Sequence, residues 1–194
     1  MSNPNNDLTK YLTLWLAWLL ASASGGTLIG ALSAPTEFFW YLFMTGFVVG
    51  VAQWVVLRRY LPYAGWWILA SGFGWLLGTI VSIMTGEITA PIIELLESAS
   101  RFWRVFWPGV VNDTVVGAGL GVGQWLVLRR HTQRAGWWAI ASAIGRVVGG
   151  EVGGACSSQI PGLCDGVSWA SYAAVTGMAL VWLLPNITEM GRER

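Results

Sequence analysis

Four polar residues stand out in this sequence because they occur in only one of two otherwise matching stretches. Residues 46–78 and 117–149 align at a fixed offset of 71, with 17 of 33 positions identical and no gap. The same offset extends to the hairpins that contain these stretches, residues 38–86 and 108–155. Where the first hairpin has Tyr41, Leu42, Trp75 and Ile80, the second has Asn112, Asp113, Arg146 and Glu151.

The three charged residues of this set lie within apolar runs, where an unpaired charge costs a few kcal/mol or more. Asp113 and Arg146 fall on helix faces that we expect to pack together. Glu151 projects about 140° away from Arg146 and is free to face the sixth helix, another subunit or lipid headgroups. Two interpretations stay open: a structural Asp113–Arg146 pair, or an Arg146 network with the glutamines, on one side, and a ligand or ion site on the other.

Two glutamines occupy matching positions in the copies. Gln53 shares a helix face with Gly46 and Gly50, and Gln124 lies in the same pattern in the second copy. Glycines four residues apart allow close helix approach, so the amides can bridge helices within a membrane. They can also serve as ligands for a cofactor or substrate.

Enzyme signatures are absent from the sequence. It has no H-E-x-x-H, G-x-S-x-G, P-loop or C-x-x-C motif, and its only histidine, His131, lies in a basic link. We therefore expect neither an enzyme nor a metal centre. The net charge of +1 gives no indication of nucleic-acid binding.

The elements that carry these residues are apolar and long. The chain is 55% hydrophobic and only 11% charged, against about a quarter charged in soluble domains. We predict an all-α integral membrane protein, a single domain over residues 1–194, with six transmembrane helices. The apolar runs are Leu12 to Leu32, Phe38 to Leu57, Trp66 to Gly86, Pro108 to Leu128, Trp137 to Ala155 and Val167 to Leu184.

The runs pair into hairpins. Residues 38–86 form one and residues 108–155 its copy, with a diverged sixth helix over residues 167–184. An Ala-Ser-x-x-Gly pattern recurs in the first, third and fifth runs, which indicates three two-helix units. We expect polar tails at residues 1–11 and 185–194. Residues 87–107 are predicted to form an amphipathic helix in the outer interface.

Positive charge predicts the orientation. Both ends and the two basic links are expected in the cytoplasm, with Arg58, Arg59, Arg129 and Arg130 binding anionic lipid headgroups. The Trp pairs that follow are expected at the membrane interface. Cys156 and Cys164 then lie on the oxidising side, and their spacing predicts a disulfide.

The run G-x-x-x-G-x-x-Q-W-[LV]-V-L-R-R followed by A-G-W-W resembles a group of small multi-pass membrane proteins most familiar from cyanobacteria. The resemblance covers both hairpins. It implies a bacterial plasma membrane or a thylakoid and, in a photosynthetic cell, chlorophyll or carotenoid beside lipid. There Gln53, Gln124 or Asn112 would supply an oxygen ligand to a chlorophyll magnesium.

These features predict a non-enzymatic protein that acts as an accessory subunit or scaffold of a larger membrane complex, with a protein partner or further copies of itself in the bilayer. The alternative is a small transporter or channel with an anion or proton site at Asp113, Arg146 and Glu151. A third interpretation is a lipid-binding protein that uses the paired arginines.

Overall fold

The computed structural model describes residues 4–33, 38–97 and 101–184. Within these ranges the chain is all-α, as predicted, and forms six helices. Four of them contain stretches long and apolar enough to cross a membrane, and these lie in the first, second, third and sixth helices. The helices are α1 (Pro4–Ser33), α2 (Phe38–Leu57), α3 (Trp66–Glu97), α4 (Arg101–Leu128), α5 (Gly136–Ala155) and α6 (Leu163–Leu183).

The helix bounds match the apolar runs best near the basic links. The α2 helix spans Phe38–Leu57 as predicted, and α3 begins at Trp66. The N-terminal prediction is wrong, because α1 begins at Pro4 and includes most of the expected polar tail. The α6 helix begins at Leu163, earlier than predicted, after Gly162 turns the chain with a φ of 75°. The predicted tail at residues 185–194 lies outside the described residues.

Residues 87–107 were predicted to form a separate amphipathic helix, but those that the structure describes belong to the two neighbouring helices. The α3 helix continues through Pro91 to Glu97, and α4 starts at Arg101 and runs through Pro108. A proline can be accommodated within a long helix when neighbouring groups satisfy the freed carbonyl. The α3 helix therefore extends beyond the predicted end at Gly86, and α4 begins before the predicted start at Pro108.

The six helices form a closed ring. Each helix packs against the next in chain order, and α6 returns to pack against α1. Because the direction alternates, the α2–α3 link (residues 58–65) and the α4–α5 link (residues 129–135) share one end of the bundle, the link end. The α5–α6 loop (residues 156–162) lies at the other, the loop end.

Glycines set the close contacts between helices. A β-carbon on Gly46 would lie 2.6 Å from the carbonyl oxygen of Ser71, and one on Gly117 would lie 2.7 Å from that of Ser142. Such distances are too short for any larger residue, so these positions let α2 approach α3 and α4 approach α5. The matching glycines of the two copies thus make matching contacts.

Candidate functional site

Three tryptophans fill the centre of the ring near the link end. Trp18, Trp67 and Trp138 come from α1, α3 and α5, and each is fully buried. Their ring centroids are 5.5–5.9 Å apart, with the planes edge-to-face. This is the arrangement that aromatic pairs favour. The centre of the bundle is therefore closed by aromatic side chains at this depth.

The burial of these residues corrects the prediction for the Trp pairs. Trp67 and Trp138 are buried, whereas their neighbours Trp66 and Trp137 are 59% and 58% exposed. Consecutive helical residues point about 100° apart, so one member of each pair faces inward when the other faces outward. Of the four tryptophans in these pairs, only Trp66 and Trp137 are exposed enough to lie at a membrane interface.

Each central indole donates its N–H to a polar side chain of a neighbouring helix. Trp67 donates to Oε1 of Gln53 at 3.0 Å, and Trp138 to Oε1 of Gln124 at 2.8 Å. Trp18 of α1 donates to the hydroxyl of Thr176 in α6 at 3.1 Å. Thr176 of α6 thus takes the place that glutamine has in α2 and α4.

The amide nitrogens extend these contacts into a network. Gln53 donates to the Ser22 hydroxyl at 3.1 Å, and Gln124 donates to the Ser71 hydroxyl at 2.9 Å. Gln124 also lies 3.3 Å from Oε1 of Gln53. The amides are thus engaged with each other and with protein groups, an arrangement that favours interhelical bridging over ligand binding.

A serine and a tyrosine complete the network in the third unit. The hydroxyls of Ser142 and Tyr172 lie 3.1 Å apart, and the Tyr172 hydroxyl also donates to Gln124 at 3.4 Å. All six helices contribute to this neutral set, here named the amide layer. Its members are Trp18, Ser22, Gln53, Trp67, Ser71, Gln124, Trp138, Ser142, Tyr172 and Thr176.

A second set, the charged layer, lies nearer the loop end. Its centre is Arg146 of α5, which donates to Asp113 of α4 at 2.5 Å and to the Ser168 hydroxyl at 3.3 Å. The guanidinium lies over the rings of Trp75 and Trp169, 5.5 Å from each centroid, and the two rings contact each other. Its Nε is buried and has no hydrogen-bond partner in the described part of the chain.

A second carboxylate, which the sequence patterns did not single out, lies in the same layer. The hydroxyl of Tyr41 in α2 donates to Asp165 of α6 at 2.7 Å. Aligning Thr176 with Gln124 places Asp165 on Asp113, at an offset of 52 residues. The three-unit pattern therefore contained the signal for Asp165, but the divergence of α6 obscured it. The charged layer is Tyr41, Trp75, Asp113, Arg146, Asp165 and Trp169.

The four polar residues predicted as one site are only partly brought together. The structure pairs Asp113 with Arg146. Asn112 is exposed and accepts a hydrogen bond from Ser82 at 2.6 Å. Glu151 was expected to face α6, another subunit or lipid headgroups. It lies instead beside α4, where a β-carbon on Gly109 would be 3.2 Å from its Oε1.

The paired arginines divide into two kinds. Arg58 lies over the ring of Trp54 and Arg129 over that of Trp125, both 5.1 Å from the centroid. Arg59 and Arg130 are exposed beside them.

At the loop end, Cys156 and Cys164 form the predicted disulfide. Their Cα–Cα distance is 5.5 Å, and the bridge joins the end of α5 to the start of α6.

A large concavity lies on the outer face of the ring, between α3 and α4. This groove has a volume of about 800 Å³ and is lined chiefly by apolar side chains. Arg130 and His131 lie at its link end. Within the described residues there is no cluster of three or more histidine, cysteine or acidic side chains that could hold a metal ion.

Comparisons with protein-family models, curated proteins and solved structures find no match for this chain. The assignment of function therefore depends on the geometry of the two layers and the groove.

Proposed function

We propose that this chain is an integral membrane protein whose six helices all cross the bilayer, and that it acts by association as an accessory subunit or scaffold of a larger membrane complex. Four helices have the required length and apolar character. In α4 and α5, Asp113, Gln124 and Arg146 lower the mean hydropathy, but all three side chains are buried in the ring. Intramembrane polar residues characteristically face a bundle interior in this way.

Charge supports an orientation with the link end in the cytoplasm. The two links carry Arg58, Arg59, Arg129, Arg130 and Arg134, and neither link contains an acidic residue. Lys10 lies near the start of α1, at the same end. Only Arg101 and Arg104 belong to the opposite end. Basic residues concentrate on the cytoplasmic side of membrane proteins.

The filled interior of the ring is the main observation that favours a role in association over transport. Transport requires a passage or a polar site that can exchange its protein contacts for those of a solute. Here the central tryptophans are fully buried against one another, and the amides are bonded to neighbouring side chains. Polar groups used in this way stabilise helix packing. A groove large enough for a ligand lies instead on the outer face of the ring, between α3 and α4.

The apparent size of the native particle tests the association. Protein solubilised gently from its own membranes should migrate as part of a complex well above the 21.1 kDa of one chain with its detergent. An absorption spectrum of that complex would reveal chlorophyll or carotenoid in the same experiment. Migration as a small colourless particle from native membranes would contradict the proposal.

Labelling from the two sides of the membrane tests the topology. A membrane-impermeant maleimide should label Gln133→Cys only from the cytoplasmic face and Glu87→Cys only from the outer face. The unmodified chain is the control, since its two cysteines are bonded to each other. Labelling of both variants from one side would overturn the six-span arrangement.

One observation favours a second candidate, a small transporter. The Nε of Arg146 is buried without a partner among the described residues, so the guanidinium retains one donor for an anion. Arg146→Trp, which installs the residue of the first copy, should leave a scaffold assembled. Loss of solute flux from a variant that remains folded and assembled would support the transporter instead.

A further inference from the structure

The groove between α3 and α4 has apolar walls along its length. Leu69, Phe73 and Leu77 of α3 line one wall, and Val122 and Leu126 of α4 line the other. All five side chains are 42–62% exposed. They form a continuous trough that, in the proposed orientation, runs from the cytoplasmic surface towards the middle of the bilayer.

The trough exists because its floor lacks side chains. A β-carbon on Gly119 would collide with the backbone of Gly78, and one on Gly74 would lie 2.9 Å from the carbonyl oxygen of Gly119. At the matching α1–α2 contact, Val48 and Ala52 replace Gly119 and Gly123. The groove is thus specific to one pair of helices and does not follow simply from the repeat.

The link end of the trough is cationic. Arg130 is exposed and has no carboxylate partner among the described residues, whereas the adjacent Arg129 lies over Trp125. Nδ1 of His131 lies 3.2 Å from the carbonyl oxygen of Val127. The His131 ring lines the groove together with Arg130. No acidic residue occurs in residues 129–135 to compete for these groups.

We propose that this groove binds one membrane lipid with an anionic phosphate headgroup. Its phosphate contacts Arg130 and His131, and an acyl chain lies between Phe73 and Leu126. The charge of the groove complements such a headgroup, and basic residues at the cytoplasmic surface attract anionic lipids. The inference rests on the membrane location proposed above, but not on the accessory role.

The size of the trough suits an acyl chain together with its phosphate. The groove has a volume of about 800 Å³. That volume lies within the range of about 300–1,000 Å³ that small-molecule sites occupy.

Photocrosslinking in vesicles tests the site. The purified chain is reconstituted in phosphatidylcholine vesicles that contain phosphatidylglycerol with a diazirine in its acyl chain. Flotation first shows whether the protein has inserted. After illumination, mass spectrometry of peptides should locate adducts preferentially at Leu69, Phe73 and Leu126, and much less when the same diazirine chain is carried by phosphatidylcholine.

The two copies provide matched controls. Leu126→Trp fills the trough, whereas Val55→Trp places the same side chain at the corresponding exposed position of α2. The first variant should abolish groove adducts and the second should preserve them. Arg130→Gln should reduce the preference for phosphatidylglycerol by about fivefold, the effect of one basic residue near an anionic surface. The matching Arg59→Gln should leave groove labelling unchanged.

The outcomes separate this inference from the proposed function. A chain that fails to float with vesicles contradicts the membrane location itself. An inserted chain labelled evenly over its surface, or labelled equally after Leu126→Trp, overturns the groove site alone. Recovery of groove peptides crosslinked to another protein in native membranes, without lipid adducts in vesicles, would assign the trough to a protein partner and also overturn the inference.

Discussion

Near the link end, the three pairs of helices place tryptophan, serine and an amide or hydroxyl at corresponding depths, and their side chains bond in a neutral layer. Near the loop end, α5 has Arg146 where the matching helices have Trp75 and Gly26, and α4 and α6 have Asp113 and Asp165 where α2 has Leu42. The residue types of the amide layer recur among the units, whereas those of the charged layer do not. The recurring side chains are therefore sufficient for helix packing, and the charged side chains are an addition that packing does not require.

Arg146 also differs from the amides in how its donors are used. The amide layer supplies a partner for each of its indole N–H groups and each glutamine. The Arg146 guanidinium has one bonded carboxylate, one hydroxyl and two aromatic faces, and its buried Nε has no partner among the residues that the structure describes. A charge held in this way depends on a single countercharge. Perturbations should therefore affect the charged layer more than the amide layer.

The largest effect is expected for Asp113→Leu. It places the Leu42 side chain at the matching position and leaves the Arg146 charge buried without its carboxylate, which should lower the free energy of unfolding by about 3–5 kcal/mol. Detergent-based unfolding followed by circular dichroism measures this loss. The double variant with Arg146→Met should recover most of it, because an ion pair replaced by apolar groups of similar size costs little. A double variant as unstable as the single one would show that the charge itself is not the cause.

A smaller effect is expected from the disulfide that closes the loop end. Replacing Cys156 and Cys164 together by serine should lower the free energy of unfolding by about 2.5 kcal/mol, as expected for a short closed loop. The readout is the midpoint of thermal unfolding, compared with the unmodified chain under reducing conditions. Equal unfolding midpoints for the oxidised chain and the serine variant would show that the disulfide does not stabilise the folded chain.

The amide layer should respond less, and in a definite order. Gln124→Leu removes contacts with Trp138, Ser71, Gln53 and Tyr172 and should cost about 2 kcal/mol, since buried donors lose their acceptor. Gln53→Leu removes fewer contacts and should cost less. The same unfolding measurement on both variants checks the order. A larger loss for Gln53→Leu would contradict the hydrogen-bond pattern of the layer.

The smallest effects are expected at the contact between Tyr41 and Asp165. Tyr41→Phe deletes the hydroxyl that donates to Asp165 and keeps the ring, so the loss should be about 1 kcal/mol. Asp165→Asn, which keeps an acceptor for Tyr41, is the matched variant and should be milder. If the Tyr41 variant matched Asp113→Leu in effect, Asp165 would be as important to the charged layer as Asp113.

The sequence predicts the helices better than the site. The apolar runs place α2 at its observed bounds, because Leu57 is followed directly by two arginines. The α3 and α4 extensions were missed because the apolar runs end at Gly86 and begin at Pro108, whereas both helices continue into the amphipathic segment. Local pattern alone cannot report whether a neighbouring helix supports the backbone there.

The partners of polar side chains were predicted only where the two copies could be compared. The comparison singled out Asp113 and Arg146, and simple helix geometry predicted that they could meet. It could not predict that Trp67 and Trp138 meet Trp18 at the centre, because that contact joins three helices distant in sequence. Asp165 was missed for a different reason: α6 has diverged from α4, and this obscured the alignment that places Asp165 on Asp113.

The closed ring has a consequence for how the protein is made. Trp18 donates to Thr176, a residue 158 positions later in the chain, and Trp15 donates to the carbonyl oxygen of Ala174. In the proposed membrane location, these donors of α1 are inserted early in synthesis and have no native acceptor until α6 has been made. The newly inserted α1 therefore remains part of an incomplete ring until α6 packs against it.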